Sequence, residues 1–109
     1  MRLHIYLAAC LTACSVSALT SDRLEEGEEI YREACARCHD TGLDGAPITG
    51  QTGDWESRSD LWEAILFEHA EKGYTIMPAR GGESRLTDYE VDAAAEYMLT
   101  KSHPDIKPD

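Results

Sequence analysis

The chain has 109 residues, room for one small domain, and a domain of that size buries only roughly 60–65% of the surface its unfolded chain exposes. Its 21 acidic and 10 basic side chains leave a formal net charge of −11, which argues against nucleic acid and anionic lipid as partners. With one phenylalanine and two tryptophans, aromatic side chains supply little core, and chains this short usually add a disulfide, a metal or a large apolar cofactor.

Residues 1–18 (MRLHIYLAACLTACSVSA) read as an export signal. Arg2 gives a positive start, Ile5 to Val16 is apolar or small, and Val16-Ser17-Ala18 fits a signal-peptidase site. The run is too short to span a bilayer. The competing reading is a buried N-terminal helix, against which charge begins abruptly at Asp22. Cys10 and Cys14 each close a stretch resembling a lipoprotein box, so membrane attachment is expected only if one of them is lipidated. Removing residues 1–18 takes away Arg2 and no acid, leaving 9 basic against 21 acidic side chains and a net of −12. The expected domain then covers residues 19–101, with 102–109 as a loose tail.

Asp22 to about Cys35 is predicted as a helix, capped by Asp22 with Glu25 three residues on. Asp40 to Arg58 is dense in Gly, Thr, Asp and Pro and is predicted as loop. Ser59 to Lys72 returns to helical period: Leu61, Trp62, Ile65, Leu66 and His69 share a face, Ser59 caps the start and Gly73 closes the end. Thr75 to Arg85 is a second loop. The last helix opens with a capping box of Thr87 and Glu90 and a staple of Leu86 and Val91, and runs to about Lys101. No stretch alternates as a strand does. The reading is all-α: three main helices and two loops long enough to wrap a bound group.

Cys35-Ala-Arg-Cys38-His39 carries the chemistry. Cys-x-x-Cys-His is the attachment signature of c-type haem. Cysteines three positions apart at a helix end can each form a thioether with one porphyrin vinyl group, and the adjacent histidine then projects toward the iron. A thioredoxin-type redox pair requires a βαβ context that is missing. A zinc site requires a fourth ligand beside Cys35, Cys38 and His39, from His69, His103 or a carboxylate. A structural disulfide leaves His39 without a role.

The sixth iron ligand has four candidates: Met77, Met98, His69 and His103. Met98 and His69 sit on packing faces of helices, and His103 lies in the tail. Met77 stands in an irregular loop, followed by Pro78 and a Gly81-Gly82 turn. Its bland alternative is a surface or gap-filling methionine. Imidazole plus thioether raises the iron potential and closes both axial positions, which favours electron transfer over oxygen chemistry.

The runs CARCHDTGLDGAPITG, DWESR, GYTIMPARGG and LTDYEVDAAAEYM resemble the short bacterial class I c-type cytochromes, nearest the cytochrome c5 group, over residues 22–101. The resemblance implies a small class I cytochrome c fold around one haem c, attached through Cys35 and Cys38. It implies iron ligation by His39 and Met77, with the Pro47 carbonyl accepting from His39 Nδ1–H. It puts Trp55 and Arg58 near the haem propionates, each with a bland alternative as packed or solvated side chain. It also implies that the first and last helices cross, with Gly27 and Tyr31 facing Ala94 and Tyr97. The second cysteine pair of some c5 relatives is absent here after residue 18. The expected function is single-electron transfer in the periplasm between redox proteins, basic ones suiting the net charge, without catalysis. The alternative is a haem subunit of a larger oxidoreductase complex.

Overall fold

A computed structural model describes the backbone of residues 16–59 and 63–103, with side chains described for 22–56 and 63–103. The expected leader up to residue 15, the 60–62 segment with Leu61 and Trp62, and residues 104–109 lie outside the described residues.

Helix α1 spans Val16–Ile30. Helical backbone already precedes Asp22, so Asp22 is an exposed residue within α1 and not its cap. At Tyr31–Cys35 the helix widens into a π-turn, and it resumes as α2, Ala36–His39. Such insertions gather at functional sites because they re-aim the following side chains; here the following residues are the Cys-x-x-Cys-His motif.

The stretch expected to be loop from Asp40 to Arg58 contains a 3₁₀ turn at Leu43–Gly45 and helix α3, Thr52–Ser59. Ser59 ends α3, and its expected capping of the next helix lies outside the described residues. Local composition points to loop, but Trp55 is buried and donates its indole N–H to the Ile48 carbonyl at 2.9 Å. Ile48 N–H is in turn accepted by Asp54 at 3.0 Å. Tertiary packing of one tryptophan overrides the weak propensity around it.

Helix α4 covers Glu63–Lys72. Gly73 ends it as expected, with φ +87° and its N–H on the His69 carbonyl at 2.9 Å. A second 3₁₀ turn lies at Ala79–Gly82. Helix α5, Asp88–Ser102, starts on the expected capping box, with both the Thr87 and Glu90 bonds formed. Leu86 and Val91 are both buried where the staple places them. Ser102, expected in the tail, is instead the fully buried last residue of α5. It receives the Gly50 N–H at 3.1 Å on its hydroxyl and the Thr52 hydroxyl at 2.7 Å on its carbonyl. Among the described residues no helix is long and apolar enough to cross a membrane.

The crossing of α1 and α5 is the main packing contact. A Cβ on Gly27 would stand 2.2 Å from the Ala93 carbonyl oxygen, so only glycine lets the two backbones approach this closely. Tyr31 and Tyr97 pack with ring centroids 5.3 Å apart. Arg23 donates to Glu96 at 2.5 Å, an ion pair whose acid is buried against the crossing. Ile30, Tyr31, Trp55, Leu86, Val91, Ala94 and Met98 form the core. Helix α4 buries none of its residues among protein atoms.

Two expectations follow. Alanine favours a helix interior by about 1 kcal/mol over glycine, yet Gly27→Ala should lower stability, because the clash is with backbone and overpacking costs about 1–3 kcal/mol. Denaturant unfolding of the haem-loaded protein checks the sign. The second concerns Glu71, whose carboxyl lies against Asp92. A buried oxygen of Asp92 receives no N–H or hydroxyl bond from the described residues. The Glu71 pKa is pushed up to about 7 by that contact first, then by burial and by the charges of Asp92 and Asp88, with Arg80 opposing. The folded state thus holds a proton that the unfolded chain releases near 4.5. Stability should fall as pH rises through that window and then level off above it. Glu71→Gln should remove the fall; an unchanged pH profile in the variant would refute the assignment.

Candidate cofactor site

The helices and the two long loops enclose an apolar cavity of about 340 Å³. Its aliphatic wall comes from Ile30 of α1, Leu66 and Ala70 of α4, Leu86, and Val91, Ala95, Met98 and Leu99 of α5. Leu66 and Ala70 explain why α4 is unburied: its apolar face looks into this space. Apolar walls that converge in this way suit a large apolar group, which would bury their surface as side chains do in an ordinary core.

The polar end of the cavity is built from α2 and the loop after it. Cys35 and His39 line the space, and Cys38 belongs to the same turn. The two cysteines are free thiols. Burial, with the neighbouring Cys38 second, pushes the Cys35 thiol up to about 11. His39 is buried, and its Nδ1–H donates to the Pro47 carbonyl at 2.9 Å. A carbonyl can only accept, so the proton sits on Nδ1 and the lone pair on Nε2, the form a metal requires. Thr49 N–H bonds the His39 carbonyl at 2.8 Å, and Gly42 N–H bonds that of Cys38 at 2.9 Å. The loop is thereby folded back on the motif. The Trp55 ring stacks on His39 with centroids 6.2 Å apart, which restricts the imidazole further.

Met77 enters from the second loop. Tyr74 and Met77 exchange backbone bonds at 3.0 and 2.9 Å, closing a tight turn with Thr75 at φ +53°. Two of the other ligand candidates also line the cavity. Met98 does so from the packed core, and His69 does so stacked on Tyr74 with centroids 3.9 Å apart. His103 is not part of the lining. Trp55 and Pro47 line it, while the side chain of Arg58 lies outside the described residues. Sequence reasoning did not foresee that Tyr74 and Gly81 form part of the wall. Met-Pro-x-x-Gly-Gly was the available signal, but it marks a turn and not what the turn touches.

Among the described residues no three His, Cys, Asp or Glu side chains gather as a metal-holding group. A flat apolar group with two thioether attachments fits the donor set and the cavity far better. Comparison with known proteins agrees. The family model described as cytochrome c oxidase, cbb3-type, subunit III matches residues 22–98. Cytochrome c-555 of Prosthecochloris aestuarii is 38% identical over 86 residues, covering 72% of this chain and 87% of that one. Cytochrome c5 of Azotobacter vinelandii is 31% identical over 74 residues, 66% of this chain and 89% of its own. The chain is a class I c-type cytochrome, near cytochrome c5.

The fold of this cytochrome is likewise similar to a solved one. A chain in a crystal structure of an electron-transfer complex of nitrite reductase with cytochrome c superposes with a TM-score of 0.66 at 32% identity. The match covers 71% of the cytochrome and 94% of that chain. The family carries a covalently bound c-type haem, and Cys35 and Cys38 stand in place for its two thioether bonds. The cytochrome's relatives are small electron carriers.

Proposed function

We propose that this cytochrome is an exported single-electron carrier whose iron is ligated by His39 Nε2 and Met77 Sδ. The observation that carries the reading is the His39–Pro47 bond at 2.9 Å at one wall of an apolar cavity that Met77 also lines. The haem supplies the ferric–ferrous couple. The chain does the rest. Pro47 and Trp55 keep the imidazole in one tautomer and one orientation, so ligation need not rearrange when the charge on the iron changes. The aliphatic wall excludes water, and a neutral thioether on the iron favours the ferrous state, which raises the potential. With His39 and Met77 both holding a bound haem, no ligand position would remain for a substrate, which supports a carrier and not an enzyme. Met77 is preferred over Met98 because Met98 is 6% exposed within the core cluster of a regular helix. His69 is engaged in a ring stack.

Cleavage near Ala18, with a periplasmic protein starting near Leu19, belongs to the same reading, and acylation at Cys10 or Cys14 is its lipid-anchored variant. Partners are redox proteins. Glu25, Glu26, Glu29 and Glu33 are exposed on the first helix and its π-turn, which supports basic ones. The match to the family of cytochrome c oxidase, cbb3-type, subunit III supports a second reading, a haem subunit of a larger oxidoreductase complex. Size exclusion of the native protein separates monomer from complex.

Met77→Ala should open an axial position, lower the midpoint potential, abolish the weak red methionine-to-ferric band and admit carbon monoxide to the ferrous iron. Met98→Ala should keep that band and lower stability by about 2–5 kcal/mol. The opposite pattern would falsify the ligand assignment. With a basic redox partner, the bimolecular electron-transfer rate should fall as salt is added, since charges beyond a Debye length of about 10 Å at 0.1 M are screened. A rate independent of ionic strength means that docking uses a neutral or apolar face.

A further inference from the structure

Arg80 holds a left-handed backbone, φ +59°, directly before Gly81 and Gly82 at φ +63° and +88°. Glycine adopts such angles freely, whereas a residue with a Cβ is strained there. Strain of this kind persists where the surroundings over-determine it and is a pointer to function.

The surroundings of Arg80 are specific. One guanidinium nitrogen, Nη1, donates to the Leu86 carbonyl at 2.6 Å, and the other, Nη2, donates to Asp88 Oδ1 at 2.5 Å. A single planar fork thus grips the residues on either side of Thr87, the cap of α5. The Asp88 bond is to a carboxylate that is 64% exposed, and alone it is worth little. The Leu86 bond is charge-assisted and lies beside a residue only 4% exposed, where water competes poorly. The next residue is packed as closely. A Cβ on Gly81 would stand 2.5 Å from the Ala34 carbonyl oxygen of the π-turn. The segment after Met77 is therefore tied to α5 through Arg80 and seated on the cysteine-bearing turn through Gly81, and Arg80 itself lines the cavity.

We propose that Arg80 is a positioning residue for the sixth ligand: its two bonds hold the Tyr74–Met77 turn against the cavity and keep the thioether from swinging away. The proposal rests on Met77 as that ligand. Without the fork the turn is anchored through its own backbone bonds and through Gly81, and the open arrangement becomes more populated.

The test uses the haem-loaded protein in the forms Arg80→Gly, Arg80→Lys, Asp88→Asn and Met77→Ala. Glycine accepts the left-handed angle, so Arg80→Gly removes the guanidinium without adding strain. Carbon monoxide should then combine with the ferrous protein at least about tenfold faster, as expected for losing charge-assisted bonds. The Met77 amide should exchange faster in the same variant. Arg80→Lys should fall between, because an ammonium cannot span both acceptors. Asp88→Asn leaves the Leu86 bond and should stay within about twofold of the unaltered protein. An Arg80→Gly protein with unchanged carbon monoxide rate and red band overturns the proposal. So does a shifted midpoint potential with both of those unchanged, which makes Arg80 only a nearby charge. Met77→Ala keeps the two readings apart. If the red band survives it, the ligand assignment fails and the proposal with it; if the band is lost there while Arg80→Gly behaves normally, Arg80 alone is ruled out.

Discussion

The constraint on which this structure depends is a partly open apolar cavity whose walls need a cofactor as part of the core. Aliphatic side chains from α1, α4 and α5 converge on the 340 Å³ cavity, and α4 has no buried residue of its own. Burial of apolar surface drives folding in proportion to area, at about 25 cal/mol per Å². A chain with one phenylalanine and two tryptophans meets that requirement with a cofactor in place of side chains. Haem is thus part of the core as well as the redox centre, and the apolar wall that stabilises the fold is the same wall that keeps water from the iron.

Around that volume the chain uses backbone contacts where side chains are scarce. Gly27 lets α1 and α5 meet at van der Waals distance over Ala93, and Gly81 seats the methionine loop on the π-turn in the same manner. Carbonyls of the first loop accept the key polar donors, Pro47 from His39 and Ile48 from Trp55. Each long stretch is therefore pinned near the site by backbone bonds as well as by its short helical turns. The second loop has no cysteine pair to brace it, and its fixed points are the Tyr74–Met77 turn, the Gly81 contact and the Arg80 fork.

Charge is distributed with a similar economy. Many acids lie on exposed positions of α1, the π-turn and the C-terminal half, where they solvate the surface. Glu96, drawn inward, is matched by Arg23 across the helix crossing, the exposed Asp88 is paired with Arg80, and Glu71 lies against Asp92, which raises its pKa. The last of these lies at the contact of α4 with α5.

Local signals in the sequence determined a good deal. Cys35, Cys38 and His39 announce covalent haem because their spacing is dictated by the porphyrin. Thr87 with Glu90, and Gly73 with its positive φ, mark helix ends because capping involves residues within one turn of each other. The helical period was legible for the same reason in the 87–101 stretch and in the described part, 63–72, of the 59–72 stretch. What the sequence could not decide were features whose cause lies far along the chain. The π-turn before Cys35, and helix α3 in a run of loop-forming residues, exist through contacts with the methionine loop and with buried Trp55. Ser102 reads as tail but is held by Gly50 and Thr52, some fifty residues away. Arg80 reads as a loop cation, and only the folded chain brings its fork to the start of α5. Short-range chemistry writes itself into adjacent residues, whereas packing partners are chosen by the path of the whole chain.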